Sequence, residues 1–160
     1  MSDGSTEGSP AGNDAGLLLG KTTPPVDTYA PQILYPIARA GNRASLGLSA
    51  ARALPFTGFD LWHAYELAWL DAGAKPVAAV GRLLVPASSP HMVESKSLKL
   101  YFNSLNNSVF ATHQALVETV QRDVEKACGA PVTLELLAPD SAELAGAALP
   151  GECLDALEGA

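Results

Sequence analysis

Apolar residues along this chain recur with two different periods, and the switches between them mark out the elements. Between Trp62 and Asp71 the sequence WHAYELAWLD alternates, with Trp62, Ala64 and Ala68 on one side of a predicted strand and Tyr65, Leu67 and Trp69 on the other. Glu66 interrupts the first face. A turn signal from Gly73 to Pro76 follows, and VAAVGRLLV from Val77 to Val85 reads as a second strand, so the short connection predicts an antiparallel hairpin. Pro86 to Val93 is a Pro- and Ser-rich connection. The period then lengthens. Leu98, Tyr101, Phe102 and Leu105 stand at i, i+3, i+4 and i+7, the stripe of a helix whose expected N-cap is Ser95. A second helix is predicted from about Thr112 to Cys128, with Leu116, Val117, Val120, Val124 and Ala127 on one face and Gly129 and Pro131 as its stop. Val132 to Ala138 reads as a third strand.

The flanks lack such periods. Residues 1–16 are mostly Gly, Ser, Thr, Asn, Asp, Pro and Ala with a lone Met, which cannot offset the entropy of ordering them, so a disordered tail is expected there. From 17 to 60, Pro24, Pro25, Pro31, Pro36 and Pro55 interrupt the apolar residues and block long helices, which predicts an extended, wrapping arm. Residues 61–138 form the expected folded module, and 139–160 an acidic, Ala-rich tail. The order arm, strand, strand, helix, helix, strand predicts an α+β fold with an antiparallel sheet and two helices packed on one face.

Composition narrows the function classes. At 160 residues, with 48% hydrophobic and 17% charged, the chain is expected to be one globular domain rather than a disordered one, and no stretch is apolar enough for a membrane helix. A net charge of −7 argues against nucleic acid as a partner. Cys128 and Cys153, with no basic-then-apolar leader ahead of them, fit a reducing cytoplasm. Cys128 falls at a helix C-terminus, where the dipole disfavours a thiolate, and Cys153 follows Glu152; neither is a good nucleophile. His63, His91 and His113 have no zinc-site spacing to one another or to the cysteines, so no metal is expected. AGLLLGKT, ending in Gly20, Lys21 and Thr22, matches a loose phosphate-loop pattern, but no strand precedes it and Thr23-Pro24-Pro25 cannot open the required helix. Charge is uneven: from Ala72 to Val117 the four bases Lys75, Arg82, Lys96 and Lys99 face one acid, Glu94, leaving +3. Such a region suits a ligand that joins an anionic group to a hydrogen-bond donor edge, or else it is a solvated helix face.

One block decides between these. VESKSLKLYFNSLNN, from Val93 to Asn107, resembles the signature of the NADPH-dependent 7-cyano-7-deazaguanine reductases, the nitrile reductases of queuosine biosynthesis in tRNA modification. Glu94, Ser95, Lys96, Ser97, Lys99 and Tyr101 stand in it uninterrupted. The likeness continues through LGKTT and DTY between Leu19 and Tyr29, NRASLGL from Asn42, PFTGFDLW from Pro55, YELAWL from Tyr65 and GECLDAL from Gly151. These outer blocks resemble the long branch of the family, in which two tunnelling-fold (T-fold) modules are fused and this signature lies in the first.

The resemblance implies an oxidoreductase with NADPH as cofactor, 7-cyano-7-deazaguanine as substrate, a second T-fold module in cis or in trans, and a homo-oligomer. It implies substrate binding by Val93, Glu94 and Ser95, the carboxylate accepting from the ring N–H and exocyclic amine together, and NADPH contact by Ser95 and Lys96. A dipole-stabilising helix-start charge is the alternative role for Glu94. The family's nucleophilic cysteine and proton-donating aspartate belong to the second module, so no catalytic residue is expected in this chain, which alone should be inactive. Where the short branch has its cysteine, this sequence reads WLDAGAKP. A non-catalytic T-fold purine-binding or scaffold module is the competing expectation. A zinc-dependent, pterin-forming cyclohydrolase on the same fold would need metal ligands that the spacings do not supply.

Overall fold

The computed structural model describes residues 18, 20–24, 26–48, 52–147 and 150–151. The expected tail at 1–16, Cys153 and most of the acidic tail after Gly151 lie outside the described residues. Three strands, β2 (Phe59–Leu70), β3 (Pro76–Pro86) and β5 (Thr133–Leu137), form an antiparallel sheet in the order β2-β3-β5. Helices α2 (Ser95–Ser104) and α3 (His113–Cys128) cover one face of it, as the α+β reading expects. The core lies between: Leu67, Trp69, Leu83, Val85 and Leu134 from the sheet meet Leu98, Tyr101, Leu105, Leu116, Val120 and Val124 from the helices. The stripe predicted for α2 is buried throughout; on α3, Cys128 joins the sealed face while Val117 and Ala127 are only partly buried.

Strand β2 departs from simple alternation. Its register to β3 runs Trp62↔Leu83 and Ala64↔Gly81, then resumes at Leu67↔Ala79 and Trp69↔Val77, so a bulge at Tyr65 and Glu66 absorbs one extra residue. Trp62 and Ala64 therefore share the core face with Leu67 and Trp69, which lie an odd number of residues away. Tyr65 is 68% exposed rather than buried beside Leu67, correcting the two-faced reading. Without the bulge, an uninterrupted pleat would turn either Trp62 or Trp69 into solvent. The turn after β2 is closed by Asp71, whose Oδ1 accepts from the N–H of Gly73 (2.8 Å) and of Lys75 (3.0 Å).

The arm is more structured than an extended segment. It contains a 3-10 turn at Pro31–Ile33, β1 (Pro36–Ala38) and the seven-residue helix α1 (Arg39–Ser45). Proline stands where it is tolerated, at the first position of the 3-10 turn and the first of β1. The Pro- and Ser-rich connection likewise carries a strand, β4 (His91–Val93), which pairs antiparallel with β1 as Pro36↔Val93 and Ala38↔His91. Arg39 anchors α1, its Nε donating to Ser89 Oγ at 3.1 Å and its guanidinium pairing with Asp60. Segments before β1 are tied to α2 and the loop after it, since Ala30 N–H donates to Ser104 Oγ (3.2 Å) and Asn107 Nδ2 to the Asp27 carbonyl (3.1 Å).

Helix α3 begins at Thr112, whose Oγ1 accepts from Ala115 N–H at 3.1 Å, and ends at Gly129 in the left-handed region at φ 72°. A Cβ on Gly129 would stand 2.7 Å from Pro90 Cγ, just ahead of β4. Gly129→Ala is expected to lower unfolding free energy by about 1–2 kcal/mol, the cost of a left-handed L-residue, measured by urea denaturation. An unchanged midpoint would show that this end of α3 relaxes freely.

Candidate functional site

The start of α2 gathers most of the residues that the sequence singles out. Val93 ends β4 and is buried, and the next residue's N–H, from Glu94, donates to the Tyr35 carbonyl of the arm at 2.9 Å. Glu94 is itself only 2% exposed, and it caps the helix: Oε1 accepts from Lys96 N–H (3.0 Å) and Oε2 from Ser97 N–H (2.7 Å). The N-cap is thus Glu94 rather than Ser95, which takes the first helical position and is exposed. A longer side chain replaces the usual Ser at the cap because two amides, not one, are satisfied by a single carboxylate.

Ser97, which no sequence argument singled out for a role, ties this corner together. Its buried hydroxyl donates to the Glu94 carbonyl (2.7 Å) and accepts from Tyr35 N–H (3.1 Å), so arm, strand end and helix start share one polar knot. Among the described residues no cation lies within salt-bridge range of Glu94. Its charge is held by two N–H groups and the positive end of the helix dipole. A carboxylate offers about four acceptor positions, so roughly one stays open on each oxygen after the two amides are served.

The basic region does not form one patch. Arg82 lies on the reverse face of the sheet between Glu135 and Glu143, each at 3.0 Å, and Lys99 reaches Glu66 at 3.3 Å. Lys96 remains at the helix start, its Nζ donating to the Lys21 carbonyl. That contact brings Lys21 of the loose phosphate-loop sequence to this corner, and residues 22–24, which follow it, are irregular rather than the helix that would cradle a phosphate.

Ser95 Oγ and the Lys96 ammonium are the donors here that would suit a dinucleotide's phosphate. The amides of Lys96 and Ser97 would not, since Glu94 already occupies them. The three histidines lie apart: His63 on β2, His91 at the start of β4, and His113 opening α3 edge-on to Trp69. Among the described residues no three His, Cys, Asp or Glu side chains converge to hold a metal.

The sequence model of the family described as "Nitrile reductase, 7-cyano-7-deazaguanine-reductase N-term" matches residues 26–136, from the arm through β5. The chain belongs to that family. The NADPH-dependent 7-cyano-7-deazaguanine reductase of Chromohalobacter salexigens is 49% identical over 140 residues, which are 88% of this chain and 50% of that protein. The chain therefore spans about half the length of the curated relative it matches. The family match includes the arm, in keeping with the hydrogen bonds that build the Glu94 corner from Tyr35 as well as from α2.

A second polar cluster lies farther along α2. Tyr29 and Tyr101 both donate their hydroxyls to Asp123 Oδ2, at 2.6 and 2.7 Å, with Arg122 at 3.3 Å from the other carboxylate oxygen. Burial first and the bond to Asp123 second raise both phenols above their usual range. Sequence reasoning placed Tyr101 on the core stripe and missed its partner, because Asp123 lies on another helix. Cys128 is fully buried, and burial pushes its thiol up to about 11, against the pull of Arg39 and with a smaller push from Asp60.

Because the folded chain holds the Cys128 proton more tightly than the unfolded chain, whose thiol sits near 9.0, this stabilisation is complete below about 9 and declines as pH rises toward about 11. Urea midpoints measured from about pH 8 to about pH 11 are expected to fall, and Cys128→Ala to flatten part of that fall. An identical slope in the variant would place the alkaline loss elsewhere, the raised phenols of Tyr29 and Tyr101 being next.

Proposed function

We propose that this chain is the substrate- and cofactor-contacting N-terminal half of a cytoplasmic, NADPH-dependent nitrile reductase that converts 7-cyano-7-deazaguanine to 7-aminomethyl-7-deazaguanine in queuosine biosynthesis. The observation that carries the reading is Glu94: a buried carboxylate, aligned by two amides, with no cation in salt-bridge range among the described residues and an acceptor position left on each oxygen. A deazapurine presents a ring N–H beside an exocyclic amine, a donor pair matching those two positions, and charge-assisted contacts of this kind are roughly twice as strong as neutral ones. Val93 and Ser95 flank it and complete the substrate contact. Because Glu94 is buried, ligand binding must open the start of α2, and affinity reports that opening as well as the contact.

Bound NADPH would supply hydride to the nitrile carbon. Ser95 Oγ and Lys96 Nζ would hold its phosphate; an ammonium has three donors, so Lys96 can keep its bond to Lys21 while doing so. Reduction of the nitrile to the primary amine takes two hydrides and two protons. In the family's chemistry a cysteine thiolate first adds to the nitrile carbon to give a thioimide, dividing a hard reduction into easier steps. Cys128 is unsuited to that role, being sealed in the core with its thiol pushed up to about 11. The nucleophile and the proton-donating aspartate are therefore assigned to a second T-fold module, joined in cis or assembled in trans, within a homo-oligomer. The same sealed thiol favours one other reading, a non-catalytic purine-binding or scaffold module of the same fold.

Titration with 7-cyano-7-deazaguanine, followed by calorimetry, is expected to show binding that Glu94→Ala abolishes. Because Ala also removes the cap, at a cost of about 0.5–2 kcal/mol, Glu94→Gln serves as the second variant: it keeps one acceptor, should fold, and should bind weakly. Wild-type affinity in both variants would overturn the assignment. Incubated with substrate and NADPH, the 160-residue chain is expected to yield no amine and no covalent adduct by intact-mass spectrometry. An adduct of one substrate mass, lost in Cys128→Ala or Cys153→Ala, would place the nucleophile within this chain.

A further inference from the structure

The bulge in β2 does more than keep the core in phase. By turning Tyr65 and Glu66 outward together, it opens a groove of ≈ 280 Å³ between β2 and the exposed side of α2. Trp62 and Phe102 form its apolar walls, Ser95 lines it from the start of α2, and the Lys99–Glu66 ion pair, 3.3 Å long and largely solvated, crosses its rim. Tyr65, which also lines it, is 68% exposed and stacks on His63 with ring centroids 5.7 Å apart and planes 26° from parallel. A large aromatic left in water beside a cavity is an open stacking face, and a bulge that re-aims a side chain is a device common next to active sites.

We propose that this groove is the ring site for the dinucleotide: a planar heteroaromatic ring lies along Tyr65 and Trp62, and its phosphate end meets Ser95 and Lys96. The inference rests on the assignment of Ser95 and Lys96 to the cofactor. Two features select this occupant. Ser95 belongs both to the groove and to the phosphate contact, so the two ends of one ligand are joined without a gap. The volume falls just short of the ≈ 300–1,000 Å³ of drug-sized pockets, which suits one ring system and not a whole dinucleotide. The substrate's donor edge is assigned instead to Glu94, which does not line the groove.

The adenine and the nicotinamide share this chemistry, and the test separates them. Trp62 lines the groove while Trp69, the other tryptophan, is sealed at 1% exposure, so a ring stacked in the groove reports through Trp62 emission alone. NADP⁺ is expected to quench the full chain's tryptophan fluorescence, and Trp62→Phe to remove the quench. Of the two half-ligands, 2′,5′-ADP and nicotinamide mononucleotide, the one that reproduces the quench names the ring. Tyr65→Ala, a change at an exposed side chain, is expected to weaken NADP⁺ about tenfold or more, the scale of one lost base–aromatic stack, and to leave 7-cyano-7-deazaguanine affinity unchanged. NADP⁺ affinity unaltered by Tyr65→Ala would overturn the ring site and leave the Ser95–Lys96 assignment standing. Quenching by 7-cyano-7-deazaguanine with none by either nucleotide would give the groove to the substrate and overturn it as well. Failure of NADP⁺ to bind, with Glu94-dependent substrate binding intact, would remove ring site and cofactor contact together and spare the substrate reading.

Discussion

Burying a carboxylate is costly unless it is hydrogen-bonded, and Glu94 meets that requirement with two amides that a helix start must satisfy anyway. Each need removes the other. From this follows the geometry around it: Ser97 must be small, hydroxylated and buried to link the Glu94 carbonyl to Tyr35, and the arm must pass alongside for Tyr35 to be there. The pairing of β1 with β4 holds that passage, since Pro36↔Val93 is the rung next to Glu94. The arm is therefore part of the site and not packaging around it.

The arm is held at several separated points, and their chemistry differs. Near Glu94 the links are backbone groups to Ser97, while farther on Tyr29 shares the carboxylate of Asp123 with Tyr101. Two phenol donors on one oxygen join arm, α2 and α3 through a single acceptor. Removing Asp123 would take the acceptor from both phenols at once, so the arrangement depends on that one carboxylate. At the opposite end, Arg39 does comparable work for α1 through Ser89 and Asp60.

Much of this was legible in the sequence, and what was missed shares a cause. The helix stripe of Leu98, Tyr101, Phe102 and Leu105 and the hairpin turn signalled by Gly73 to Pro76 depend on neighbours within a few residues, and local pattern reads such things well. The Tyr65–Glu66 bulge depends on register against β3, which no single strand carries; the one hint was that Trp62 and Trp69 needed the same face from positions of opposite parity. Strands β1 and β4 are three residues each, too short for any period to show. Glu94 stood out through the block around it, yet its capping role was credited to Ser95, because propensity favours the short hydroxyl and does not register that a buried carboxylate can reach two amides at once.

The placement of reactive and holding groups bears on how chemistry is divided. At the start of α2 lie an acceptor pair, a hydroxyl and an ammonium, all suited to grip and orient. The described thiol lies at the far end of α3, in the core, where burial drives it toward the neutral form that cannot attack a nitrile. Moving a nucleophile to Cys128 would require opening the core between α3 and the sheet, whereas moving a ligand to Glu94 requires only that the start of α2 be uncovered. Among the described residues, then, the groups suited to holding a ligand are at the helix start and the thiol is in the core, an arrangement that fits the proposed recognition role. The curated relative, of which the matched residues make up 50%, is long enough to carry a further module beyond them.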